Sequence, residues 1–288
     1  MRSIISSFAK KHNCVYGVTD AAPLDERLAS AQKTPFVTKN AARRVDPAQY
    51  LQGARSVIAI GVPYGGERPL WPTGSAKITR MAVGQDYHIV VKNMLQELTN
   101  SLNLFAEHYI CVDSGGLMER ELAIRAGLGF KGKNSLLINP DIGSFFNIGL
   151  LITRIAVDDL IGDKPFDTGK TGCGKCDLCI RSCPGRALNE NGFFDYTHCV
   201  SYLTQKPGTL SPDEERIATG NIYGCDVCQV VCPYNKFVSP QPTVQPTIDP
   251  QWIIDLDNDT FNKTLELTCA GWRGLEILKR NARLSLKR

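Results

Sequence analysis

The sequence predicts an α+β protein: a layered α/β half followed by a small cysteine-rich segment and a helical end. Two observations carry this. Short β-rich runs alternate with amphipathic helical stretches through the first half, and eight of the eleven cysteines fall between Cys173 and Cys232. Taken in order, SVIAIGVPY from Ser56 is the clearest strand. A helix is expected over Asp86 to Asn103, because Val90, Val91, Met94, Leu95, Leu98 and Leu102 recur on one face. The strand HYICVDS follows, then a short helix from Met118 to Ala126 stopped by Gly127. Apolar runs from Ser135 and from Gly149 give two further strands. SPQPTVQPTIDP, with four prolines, is an irregular connection to a helical tail. These elements divide the chain into residues 1–168, 169–238 and 239–288.

Composition sets the class. Hydrophobic residues make up 43% of 288, ordinary for a globular chain, and no apolar run reaches the ~18 residues of a membrane span. With no signal peptide either, a cytoplasmic protein is expected. The net charge of +4 does not demand a polyanionic partner. The last eleven residues, LKRNARLSLKR, hold five Lys or Arg and no acid; they read first as a solvated helix end and second as a phosphate-contacting surface.

The cysteine spacing is the most specific signal. Cys173, Cys176, Cys179 and Cys183 before Pro184 read C-x2-C-x2-C-x3-C-P, the run of bacterial two-cluster ferredoxins. Cys225, Cys228 and Cys232 before Pro233 are one ligand short of it, and Cys199 between the blocks can supply the fourth. In such ferredoxins the cysteine before the proline reaches the other cluster. One 4Fe-4S cluster is therefore expected on Cys173, Cys176, Cys179 and Cys232, and a second on Cys183, Cys199, Cys225 and Cys228. Zinc is the competing occupant of C-x2-C pairs; it leaves the two cysteine-before-proline positions without a role. A disulfide scaffold suits small secreted chains, not this one. Cys14, Cys111 and Cys269 are expected as buried small hydrophobes.

CVDSGGLMERELAIRAGLGFKGKN, from Cys111 to Asn134, departs from plain core patterning. Asp113 follows a predicted strand and precedes a glycine turn, where open α/β sheets place ligand-facing groups. A turn or N-cap aspartate beside Ser114 explains it equally well. Gly127, Gly129 and Gly132 allow close ligand approach, as they would in any loop. Lys131 and Lys133 are read as solvated charges.

The whole ordered set resembles the epoxyqueuosine reductases. The resemblance is carried by ARRVDP from Ala42, GQDYH from Gly84, VDSGGLMER from Val112, RAGLGFKGKN from Arg125, CGKCDLCIRSCPGRAL from Cys173, HCVSYLT from His198 and YGCDVCQVVCPYN from Tyr223. It implies a nitroreductase-like cobalamin domain, a ferredoxin-like domain with two 4Fe-4S clusters, and reduction of the epoxide of a modified tRNA wobble base to an alkene. It further implies Asp113 as proton donor and Arg44, Thr79, Asp113, Asn134 and Leu137 as cobalamin contacts. Arg120, Arg280 and Asn281 become tRNA contacts, a low-potential electron donor is required, and a monomer is expected. Without it, Arg44 reads as an exposed basic residue and Leu137 as a buried strand position.

Two departures stand out. Many longer relatives continue past the KRNA-like stretch into a helical-repeat extension, whereas this chain stops at Arg288; part of the RNA surface is then expected to be missing. The loop KITRMAVGQDYH also differs from the aromatic and glycine-rich versions expected around Thr79. Two competing functions remain: a cobalamin-dependent reductive dehalogenase, which lacks affinity for tRNA, and a plain electron-transfer module, which leaves the first ~170 residues unexplained because a cluster pair needs only a small domain.

Overall fold

A computed structural model describes residues 1–31, 35–65, 69–104, 108–113, 116–161, 172–236 and 245–287. Nine strands occur among them: β1 Val15–Asp20, β2 Ser56–Pro63, β3 Ala76–Ile78, β4 His108–Cys111, β5 Phe130–Lys131, β6 Leu137–Ile138, β7 Phe146–Thr153, β8 Asn221–Tyr223 and β9 Thr247–Ile248. The main sheet has the order β1-β2-β7-β4, and every pairing in it is antiparallel. β2 and β7 are its buried centre, in register from Ser56 opposite Thr153 to Pro63 opposite Phe146.

Both faces of this sheet are covered, which is why β2 and β7 read as continuous apolar runs rather than alternating ones. On one face Ile58, Ile60 and Leu151 pack with Val91, Leu95 and Leu98 of helix Tyr87–Ser101 and with Ile5 and Phe8 of helix Arg2–Lys11. On the other, Val57, Ala59, Leu150 and Ile152 pack with Leu122 and Ala123 of helix Glu119–Arg125. The long helix comes close at Gly149, where an added Cβ would lie 2.5 Å from a Val91 methyl. Its start is fixed by Asp86, whose side chain accepts from the His88 N–H.

The chain's end does more than hang from this core. β3 pairs in parallel with β8 from the cysteine-rich segment and antiparallel with β9 from the proline-rich connection. Around that small sheet, Trp71, Ile78, Ile222, Ile248, Ile253, Leu275 and Leu278 form a second core. Half of the expected irregular connection lies outside the described residues, and its described half contains β9. The expected segment boundaries at 168/169 and 238/239 also lie outside them.

Two buried polar networks join the cysteine-rich segment to the α/β half. Asn235 accepts from the Ser144 N–H at 2.7 Å and donates to Ser144 Oγ and the Gln229 carbonyl, while Gln229 donates to the Ser144 carbonyl. Gly143 makes room for this: its φ is +70°, and a Cβ there would lie 2.0 Å from Asn235 Oδ1. In the second network the Asp226 carboxylate receives Thr79 Oγ1 at 2.5 Å, the Arg80 N–H at 2.8 Å and the Arg80 guanidinium at 3.2 Å.

Candidate active site: a cleft beside two cysteine sets

The sulfurs of the cysteine-rich segment fall into two adjoining groups. Cys173, Cys176, Cys179 and Cys232 line one small cavity with Lys133, Asn134 and Ile138. Cys183, Cys199, Cys225 and Cys228 are mutual neighbours: burial, reinforced by the charges of nearby thiols of this set, pushes Cys225 up to about 12 and Cys228 well above its ordinary range. Such sulfurs become ligands only where bound iron supplies compensating positive charge. Cys228 also feels Cys179, so the two sets adjoin. Backbone donors already face the sulfurs, with the Lys133 N–H 3.4 Å from Cys173 Sγ and the Ala187 N–H 3.3 Å from Cys183 Sγ. Hydrogen bonds of this kind tune cluster potentials. None of the eleven cysteines is in a disulfide. Cys14, Cys111 and Cys269 are buried as expected, although Cys269 lines the cleft described next and Cys111 donates to Glu119, which lines it.

That cleft, of about 690 Å³, is lined by β7 of the main sheet and by β6, which pairs with β5. Its wall is partly apolar (Leu117, Met118, Leu137, Phe146) and partly polar (Arg44, Ser144, Asn147), with Asp113, Tyr87 and Glu119 grouped together. An apolar wall with a buried guanidinium and amide at its edge suits a large macrocycle whose faces are apolar and whose rim carries amides; the residues present fit cobalamin. The run 133–138 separates cleft from cluster cavity: Lys133, Asn134 and Ile138 face the cysteines, and Leu136 and Leu137 face the cleft.

Asp113 is held by its neighbours rather than by the sheet-switch rule, since the sheet that carries β4 is antiparallel throughout. Its backbone is left-handed at φ +49°, a conformation aspartate tolerates better than most residues. Its N–H donates to Glu119 Oε1 at 2.6 Å, and the Cys111 thiol donates to the same oxygen at 2.9 Å. Tyr87 Oη donates to Asp113 Oδ2 at 2.6 Å. Burial, then the charge of Asp113, raises Glu119 to about 8 and holds the Tyr87 phenol well above its ordinary value. Near neutral pH, Glu119 is therefore mainly a neutral acid and Tyr87 a permanent donor.

The other expected site residues divide. Arg44 is buried and lines the cleft, and so does Leu137. Asn134 instead lines the cysteine cavity, with its buried Nδ2 lacking a hydrogen-bond partner. Thr79 is outside the cleft lining and is committed to Asp226. Lys133 is not simply solvated: its ammonium donates to the carbonyls of Gly174 and Cys176.

Two of the expected RNA contacts make hydrogen bonds within the fold. Arg280 spends its guanidinium on the carbonyls of Leu203, Lys206 and Gly208 and on Asn281 Oδ1. Asn281 is 1% exposed, and its Nδ2 donates to the Thr204 and Ile222 carbonyls. Both stitch helix Leu275–Leu286 to the cysteine-rich segment. Arg120 lines the cleft and donates to the Ser135 carbonyl, rather than standing on an outer face. Tyr87 and Glu119, which single-residue patterns did not select, sit inside the motifs GQDYH and LMER.

Comparison with known proteins agrees with this division. Residues 44–114 match the family described as epoxyqueuosine reductase QueG, and residues 172–235 match a 4Fe-4S double cluster binding domain. An epoxyqueuosine reductase of Lactococcus garvieae is 35% identical over 90% of this chain and 76% of its own length. That of Cyclobacterium marinum is 34% identical over 95% and 94%. Among solved structures, the epoxyqueuosine reductase of Streptococcus thermophilus superposes with a TM-score of 0.87 at 31% identity, covering 99% of this chain and 80% of that one. An epoxyqueuosine reductase with an epoxyqueuosine-modified tRNA stem loop superposes with a TM-score of 0.85 at 28% identity over the same shares.

Proposed function

The chain belongs to the epoxyqueuosine reductase family, and from that premise we propose that it reduces epoxyqueuosine at the wobble position of tRNA to queuosine with Asp113 as the proton donor. The overall change is removal of the epoxide oxygen as water: two electrons and two protons enter, both C–O bonds break and a C=C bond forms. The observation that carries the reading is the placement of the Asp113 carboxyl group in a cleft separated by a single run of chain from a four-cysteine cavity.

The two 4Fe-4S clusters and cobalamin supply one-electron carriers and a reducing metal centre when bound. The residues that would hold the clusters are the two cysteine quartets. Arg44 and Leu137 would contact cobalamin in the cleft, with Asn134 offering a buried amide from the adjoining wall. Asp113 gives its proton to the leaving oxygen as general acid. Because Tyr87 occupies Oδ2, Oδ1 is the oxygen left to carry that proton. Glu119 fixes the turn through the Asp113 N–H and, being mainly neutral, adds little negative charge against an incoming nucleotide. The second proton comes from solvent.

No described helix is long and apolar enough to cross a membrane. The proposed enzyme is a cytoplasmic monomer fed by a separate low-potential donor. The decisive variant is Asp113→Asn, assayed anaerobically on epoxyqueuosine-bearing tRNA. It is expected to abolish queuosine formation, a loss of at least ~10²-fold by the usual scale of acid catalysis, while retaining iron and cobalamin spectra. Turnover near the parent rate would remove Asp113 from the chemistry.

A further inference from the structure

Three separated parts of the chain bring large rings together at the mouth of the cleft. Phe36 comes from the N-terminal third, Tyr202 from helix Val200–Leu203, and Trp272 from the turn Gly271–Arg273. Phe36 lies 5.4 Å from Tyr202 and meets Trp272 edge-on at 5.7 Å, centroid to centroid. The Arg273 guanidinium stacks over both rings, 3.7 Å from the Trp272 centroid and 4.5 Å from that of Phe36. Despite these contacts Phe36 is 40% exposed and Trp272 51% exposed. Trp272 is also held in place, its Nε1 donating to Gln205 Oε1 at 3.1 Å. Phe36, Gln205 and Trp272 line the same cleft as Asp113.

Single exposed apolar side chains are unremarkable on a protein surface, but adjoining exposed rings at a cavity mouth mark a binding surface. The cation fits the same description. Arg273 makes no ion pair with any carboxylate among the described residues, and its Nε is buried without a hydrogen-bond partner. It is a positive charge stacked on aromatic faces and not neutralised by any described carboxylate, which favours an anion nearby.

We infer that Phe36, Trp272 and Arg273 form a stacking platform for a nucleotide of the anticodon loop next to the one whose base enters the cleft. This rests on the tRNA reading above. A base reaching toward Asp113 must draw its neighbours across the mouth, where unpaired bases offer flat π-faces to aromatic rings and each carries a phosphate for a guanidinium. Stacking of this kind tolerates any base. The platform therefore adds affinity for single-stranded loop RNA, while the cleft reads the modified base.

The test uses the cluster- and cobalamin-loaded protein and an anticodon stem-loop RNA bearing epoxyqueuosine, with binding followed by quenching of tryptophan fluorescence and by filter retention. Trp272→Ala and Phe36→Ala are each expected to weaken binding about tenfold, and Trp272→Phe to restore most of it. Unchanged cluster absorbance and melting temperature identify a local effect. Wild-type affinity in both alanine variants would overturn the platform, as would a phenylalanine variant no better than alanine. So would a sedimentation change in Trp272→Ala with RNA affinity intact, which would make the patch a contact between copies. Stem-loop binding by the wild type without epoxide reduction would sink the proposed reaction alone, leaving the binding comparison to decide the platform.

Discussion

At the scale of single residues, the proposed chemistry rests on three side chains that the fold brings together. Asp113 was marked by its motif, but Tyr87 and Glu119 acquire their roles only through contact, 26 positions before it and six after. Glu119 gives a pH-dependent signature. Its folded-state pKa of about 8 lies above the ordinary 4.5, so its protonated form stabilises the fold fully below about 4.5, and that contribution is lost as pH rises through about 8. Glu119→Gln cannot ionise and is expected to flatten this part of the stability profile. Thermal melts of wild type and variant between about pH 5 and 8.5 check it, and parallel curves would contradict it. Arg280 and Asn281, in a basic, polar motif that suggests RNA, donate to backbone carbonyls of the cysteine-rich segment, a structural role that the motif alone does not reveal.

At the scale of elements, the cysteine blocks were legible because their spacing alone dictates which sulfurs can surround one cluster. Cys199→Ala is therefore expected to leave the set around Cys173 intact and to reduce bound iron to about half; loss of all iron would show that the two sets do not load separately. The long helix and β2 were legible from periodicity and from a two-sided apolar run. β3, β8 and β9 were not, since each is two or three residues long and their pairing joins three distant stretches. The same holds for Asp226, which a reader of the sequence passes over between Cys225 and Cys228. Arg80 and Asp226 are 5% and 1% exposed at their side chains, and Asp226→Ala would leave the guanidinium buried without this partner. The expected cost is about 3–5 kcal/mol, read as a fall in thermal midpoint. A change near zero would mean that the Arg80 side chain escapes to solvent.

At the scale of the whole molecule, the arrangement places a reducing centre, its electron supply and a proton donor within one framework. The main sheet supports the cleft through β7 and the separate β5-β6 pair through β6, the run 133–138 is shared with the cluster cavity, and the chain's end closes a second core against the cysteine-rich segment. Buried polar networks around Asn235 and Asp226 fix the cysteine-rich segment to the half that carries Asp113. Such networks hold a single arrangement only when fully satisfied. This geometry explains why the fold keeps so many polar groups inside. The measurement that bears most directly on the central claim is nucleoside mass analysis of epoxyqueuosine-bearing tRNA after anaerobic incubation with iron-loaded protein, cobalamin and a low-potential reductant. The account predicts queuosine, lighter by one oxygen, formed only when cobalamin is present. Unchanged epoxyqueuosine with both clusters and cobalamin bound would contradict it.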